Sequence, residues 1–129
     1  MPFNDLGKGY DVINTLLDPN RFGWKGRVTT YLVRTMTLDE LPRADFIKLD
    51  CEGAEYEILC GAKKALDHKP ILVIEISASA RKSGVEKKIT DLLIEKGYRG
   101  HYYIGNDFKL LPLATRGEEA AVVNAVFLP

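Results

Sequence analysis

Two apolar runs in this chain carry acids where a buried strand would ordinarily carry none. DFIKLDCEGAEYEIL (45–59) holds Asp50, Glu52, Glu55 and Glu57, and ILVIEI (71–76) holds Glu75. Carboxylates gathered at one spot repel a phosphate; they suit hydroxyl groups, a cationic centre or a divalent metal. A carboxylate whose pKa is raised by its neighbours can also serve as a general base. Glu75 sits inside an apolar run, where an unpaired carboxylate is costly. It must either face a crevice or pair with a base such as Lys48. Plainer roles compete with chemistry at each position. Glu55 and Glu57 fall in the first turn of a helix, where acids gain about 0.3–1 kcal/mol from the macrodipole. Glu57 reads as a solvated acid of that turn. Asp50 could cap the same helix, Gly53 permits a tight strand-to-helix turn, and Cys51 is a small buried filler.

The surrounding sequence indicates what positions these acids. FIKLD (46–50) and ILVIEI (71–76) read as short buried strands. Between them, from Gly53 to Leu66, the apolar spacing is helical: Ile58, Leu59, Ala62 and Leu66 share one face, with Gly61 a point of weakness and Pro70 the stop. VTTYLVRTM (28–36) is rich in β-branched residues and predicts a strand. Thr37 and Glu40 form a capping box for one helical turn, and Ser83 and Glu86 form another. Val85, Ile89, Leu92, Leu93 and Lys96 continue at helical spacing, and Gly97 ends that helix. Residues 98–104, 108–113 and 121–128 predict strands, with Gly105-Asn106-Asp107 as the turn between the first two. Residues 1–27 are poorly legible beyond a helical spacing at Val12, Ile13, Leu16 and Leu17. Strands alternating with helices predict an α/β fold whose two central parallel strands, about 45–50 and 71–76, are covered on both faces, with antiparallel strands added at one edge. Open sheets of this kind bind ligands beyond the carboxyl ends of their strands, where Asp50 and Glu75 lie.

A chain of 129 residues predicts a single domain. Its 18 basic and 18 acidic side chains balance, which gives no electrostatic reason to expect nucleic acid or an anionic membrane as partner. No apolar run approaches the roughly 20 residues of a membrane span. The start, MPFNDLGKGYD, lacks the apolar core of a signal peptide. Cys51 and Cys60 have neither metal-type nor CxxC spacing and read as reduced thiols of a cytoplasmic protein. His68 and His101 have no second ligand at zinc spacing, so no metal is expected.

The segments TMTLDEL (35–41), DFIKLDCEGAEYEILCGA (45–62), KPILVIEI (69–76), Gly97-Tyr98 and VVNAVFLP (122–129) together resemble FkbM-type methyltransferases. The D-x-E-G-x-E run followed by an apolar strand bearing Glu is the most specific part, and the resemblance spans about residues 28–129. It implies a Rossmann-like methyltransferase fold, S-adenosylmethionine as methyl donor, and a sugar or small-metabolite hydroxyl as acceptor. By that resemblance Asp50 matches the acid at the end of the fourth strand of the full fold, facing the reacting methyl, and Glu75 the acid ending the fifth. These two become the candidate catalytic pair. Glu52 and Glu55, which with Gly53 complete the motif, become candidate substrate-binding residues.

The resemblance also implies a glycine-rich cofactor loop after the first strand and a ribose-binding acid after the second. Neither is found. Gly7-Lys8-Gly9 is a G-x-G, but residues 1–6 are too few for a buried strand and its turn, and a lone G-x-G is weak evidence. The chain therefore reads as a single truncated domain over 1–129, the C-terminal half of such an enzyme with its first strands missing and its cofactor-binding residues unassigned. One reading is a methyltransferase, or its acceptor-side half. The other is a non-catalytic α/β remnant that binds a partner through the sheet edge left open. The expected partners are a small-molecule hydroxyl acceptor and, through that edge, another copy of the chain or a complementing N-terminal half. By itself the chain is expected to bind S-adenosylmethionine weakly or not at all; micromolar affinity by calorimetry would overturn this.

Overall fold

The computed structural model describes residues 27, 29, 31–117 and 122–129. The helical spacing at 12–17 and the rest of the N-terminal segment lie outside the described residues. Chain order is a 3-10 turn at Leu38–Glu40, β1 (Phe46–Leu49), α1 (Glu55–Cys60), α2 (Lys63–Asp67), β2 (Ile71–Ser77), α3 (Ala78–Lys82), α4 (Val85–Glu95), β3 (Gly100–Ile104), β4 (Leu110–Pro112), a 3-10 turn at Leu113–Thr115, and β5 (Val122–Leu128). Five strands form one mixed sheet in the order β1-β2-β5-β3-β4. β1 and β2 are parallel, Leu49 opposite Ile74. β5 runs antiparallel to both β2 and β3, and β3 to β4.

The parallel pair forms as the apolar runs predict, but it does not stand at the centre of the described sheet. β1 is an edge strand, and the last strand, β5, threads into the middle while β3 and β4 take the far edge. VVNAVFL is the reason. Val123, Ala125, Val126 and Phe127 are all buried, and a strand that apolar on both faces needs neighbours on each side.

One face of the sheet holds the core. Leu49, Leu72, Ile74, Ile76, Val123, Ala125 and Phe127 point to it, and Leu59, Leu66, Ile89 and Leu93 from the helices pack against them. Every described helix contributes to this single cluster. The expected cover on the second face is thus not supplied by the described helices. That face carries Phe46, Lys48, Ile71, Val73 and Glu75 by the alternation of β1 and β2, and Phe46 and Ile71 stay 56% and 40% exposed.

Four local expectations meet the structure differently. The Thr37–Glu40 box forms: the Glu40 carboxylate accepts the Thr37 backbone N–H at 2.7 Å. Gly61 does interrupt the helix after β1, leaving α1 and α2 as two short pieces. The second box does not form. Ser83 is the last residue of the α3 cap, its hydroxyl donates to the Ala80 carbonyl, and α4 starts from Gly84 at φ 79°. Ser77 had already started α3 by accepting the Ala80 N–H, a helix the sequence reading passed over. Nor do residues 31–36 of the expected VTTYLVRTM strand form one. Tyr31, Leu32, Val33 and Met36 are exposed; β propensity reflects side-chain packing against neighbouring strands, and exposed side chains gain none of it.

Candidate active site

The site is built on the strand ends. β1 ends at Leu49 opposite Ile74, so the next residues, Asp50 and Glu75, stand side by side on adjacent parallel strands, on the face away from the core. In the antiparallel register Glu75 is opposite Asn124. Directly opposed residues share a face and lie within side-chain contact range. Asn124 is half-buried and stands beside Glu75 on the side away from Asp50. No spacing in the sequence could reveal that, because it comes from strand order.

Burial first, then the charge of Asp50, pushes the Glu75 carboxyl above its ordinary value; Glu52 and Glu55 push the same way, and Lys48 opposes them. Three of the sequence-predicted acids, Asp50, Glu52 and Glu55, therefore act on Glu75. Glu57 is exposed on α1 and is not among the charges that shift Glu75.

Lys48 does not pair with Glu75. Its ammonium lies 2.6 Å from Asp50 Oδ2, and the side chains are 49% and 41% exposed. That hydrogen bond is the main reason the Lys48 pKa is raised. Asp50 is not a helix cap either: the residue before α1 is Ala54, with no side-chain cap bond.

The turn between β1 and α1 holds the remaining two acids in different ways. The Ala54 N–H bonds the Cys51 carbonyl at 3.2 Å, closing a four-residue turn. Its central residues, Glu52 and Gly53, have φ of 51° and 96°. Two successive left-handed residues mark the mirror-image turn that favours glycine. Gly53 meets that requirement freely, whereas Glu52 is held in a conformation non-glycine residues seldom adopt. Its side chain remains exposed at the mouth of the site. Glu55 is turned inward. It is 5% exposed, and its Oε1 accepts the Cys51 N–H at 2.8 Å and the Gly53 N–H at 3.3 Å. Glu55 thus binds the backbone of its own turn and fixes where Glu52 and Asp50 stand.

Among the described residues no group of three His, Cys, Asp or Glu side chains is arranged to hold a metal ion. Cys51 and Cys60 are free thiols. A concavity of about 260 Å³ lies elsewhere, between Leu38, Pro42, Phe46 and His68. It is at the amino end of β1, opposite the ligand-binding end of such a sheet.

No helix among the described residues is long and apolar enough to cross a membrane. No curated protein and no solved structure matches the chain. The family model for the methyltransferase FkbM domain matches residues 10–99. The match reaches further toward the N-terminus than the resemblance read from residue 28, and it stops short of VVNAVFLP. It takes in Asp50, Glu52, Glu55 and Glu75, together with β1 and β2 that carry them, and on that match the chain belongs to the FkbM methyltransferase family.

Proposed function

We propose that this chain is an O-methyltransferase in which Asp50 and Glu75 receive the hydroxyl of a sugar or small metabolite. Methyltransferases of this family generally use S-adenosylmethionine, which supplies a methyl carbon on a positively charged sulfur. The donor set fits that end of the cofactor: carboxylates gather at the strand ends, and the nearby cation, Lys48, is already bonded to Asp50. The observation that carries the reading is the pairing of Asp50 with Glu75 on adjacent strand ends. Glu75, with its proton affinity raised by burial and by Asp50, takes the hydroxyl proton as the acceptor oxygen reacts. Asp50 accepts a hydrogen bond from the acceptor through the oxygen that Lys48 leaves free. Glu52 meets further hydroxyls at the rim. Alignment of acceptor and methyl carries much of the catalysis, since the sulfonium is already a strong electrophile.

The test is methyl transfer from labelled S-adenosylmethionine to a panel of sugar hydroxyls by the full-length protein. We expect methyl ethers as products, and Asp50→Asn should weaken transfer without measurable loss of stability. Products methylated only at nitrogen, or full turnover by folded Asp50→Asn, would sink this assignment.

A second reading rests on the β1 edge. Among the described residues β1 has one strand neighbour, and it carries an exposed Phe46 at its start. We propose that this edge pairs with a second copy of the chain. Concentration-dependent scattering should then show association, with slowed amide exchange at Phe46 and Lys48. A persistent monomer with fast exchange at both amides counts against it.

A further inference from the structure

Lys48 is the charged residue of the site to which neither the family match nor the proposed reaction assigns a role. It sits in the middle of β1, and its register partner Val73 is 9% exposed. A lysine there can lay its apolar stem on the sheet and carry its ammonium toward the strand end. Two residues further along that same face is Asp50, at 2.6 Å from the ammonium. Two residues beyond Val73 is Glu75. We propose that Lys48 is a positioning residue: it clamps Asp50 in one orientation on the open face and places a cation beside Glu75.

Two consequences follow for the acids. A half-exposed aspartate at the end of a strand would otherwise turn among rotamers, and a charge-assisted hydrogen bond limits it to one. Glu75, for its part, feels the charges of Asp50 just past β1, Glu52 in the following turn and Glu55 at the start of α1, all raising its proton affinity. Lys48 is the charge opposing them, so its position limits how far Glu75 is pushed up. The proposal rests on Asp50 and Glu75 as the reacting pair, but its test needs no methyl transfer.

The experiment is carbon-13 NMR of the full chain, wild type against Lys48→Met and Lys48→Arg. Three-bond couplings across the Asp50 Cα–Cβ bond report its rotamer, and the carboxyl carbon of Glu75 reports its titration. In the wild type Asp50 should hold one rotamer. In Lys48→Met it should average over several while the Glu75 midpoint moves upward, and Lys48→Arg should restore both toward the wild type. Asp50 averaging in the wild type overturns the clamp without any variant. A Glu75 midpoint that stays in place or falls in Lys48→Met overturns the electrostatic part, as does failure of Lys48→Arg to restore it. Failure of the methyl-transfer assay leaves these readouts standing, so the two proposals fail separately.

Discussion

Glu75→Gln is expected to lower methyl transfer by about 10²–10⁴-fold, the usual contribution of a general base, and to leave the fold as stable as before or more so. The glutamine keeps the size of the side chain and an acceptor oxygen, but it cannot take a proton. The stability forecast follows from the direction of the titration. Burial and the charge of Asp50 raise the Glu75 pKa in the folded state. The folded protein therefore holds that proton more tightly than the unfolded chain does. The resulting stability is fully present below the ordinary carboxylate range and is lost as pH rises through the raised folded value. At neutral pH an ionised Glu75 is a net cost, which glutamine removes. Denaturant unfolding should show the variant ahead of the wild type at neutral pH, with the gap closing below the ordinary carboxylate range, where both side chains are neutral. A folded Glu75→Gln protein with full turnover would leave Asp50 as the remaining base candidate. A variant less stable than the wild type at neutral pH would mean that Glu75 accepts structural hydrogen bonds as an anion.

Glu55→Ala is expected to be the most damaging change for the fold among the motif acids. Glu55 is the buried acid of the core, and its Oε1 satisfies the N–H groups of Cys51 and Gly53. Removing it leaves two donors of a tight turn without that acceptor, at a cost of roughly 2–4 kcal/mol. That is a large fraction of the roughly 5–15 kcal/mol by which a domain is usually stable. Glu55→Gln keeps an acceptor at the same place and should cost clearly less, because only the charge of the bond is lost. Thermal unfolding of the two variants distinguishes a turn-holding acid from a substrate-binding one. If Glu55 met substrate instead, both substitutions would spare stability and raise KM together. Equal, small losses of stability would therefore refute the structural role.

Much of the scaffold was legible because its signals are local. The continuous apolar runs FIKL and ILVIEI formed the parallel pair, and the 3.6-residue spacing of Ile89 and Leu93 put α4 on the core. Gly61 broke the helix because glycine adds no side-chain support there, and Gly97 closed α4 at φ 84° because few other residues accept that backbone. The D-x-E-G-x-E motif led to the family for the same reason: its residue types sit close together in sequence. What went astray depended on neighbours. VTTYLVRTM has the composition of a strand, but its described residues pair with no strand of the sheet. Ser83 has the spacing of a cap, but Ser77 had begun a helix that ends on Ser83.

The sequence by itself determined which side chains are acids, which runs are buried and which family the chain falls in. Only the tertiary structure decided how the acids divide their work. Parallel pairing brought Asp50 beside Glu75 from opposite ends of a helical connection, and the arrival of β5 between β2 and β3 brought Asn124 to the other side of Glu75. The left-handed turn at Glu52 and Gly53 sent Glu52 outward, while Glu55 turned back to bind that turn. Four carboxylates close in sequence or in strand order have equal intrinsic chemistry; burial, register and hydrogen-bond partners separate them. Those depend on which strands become neighbours, and no local pattern of residues specifies that.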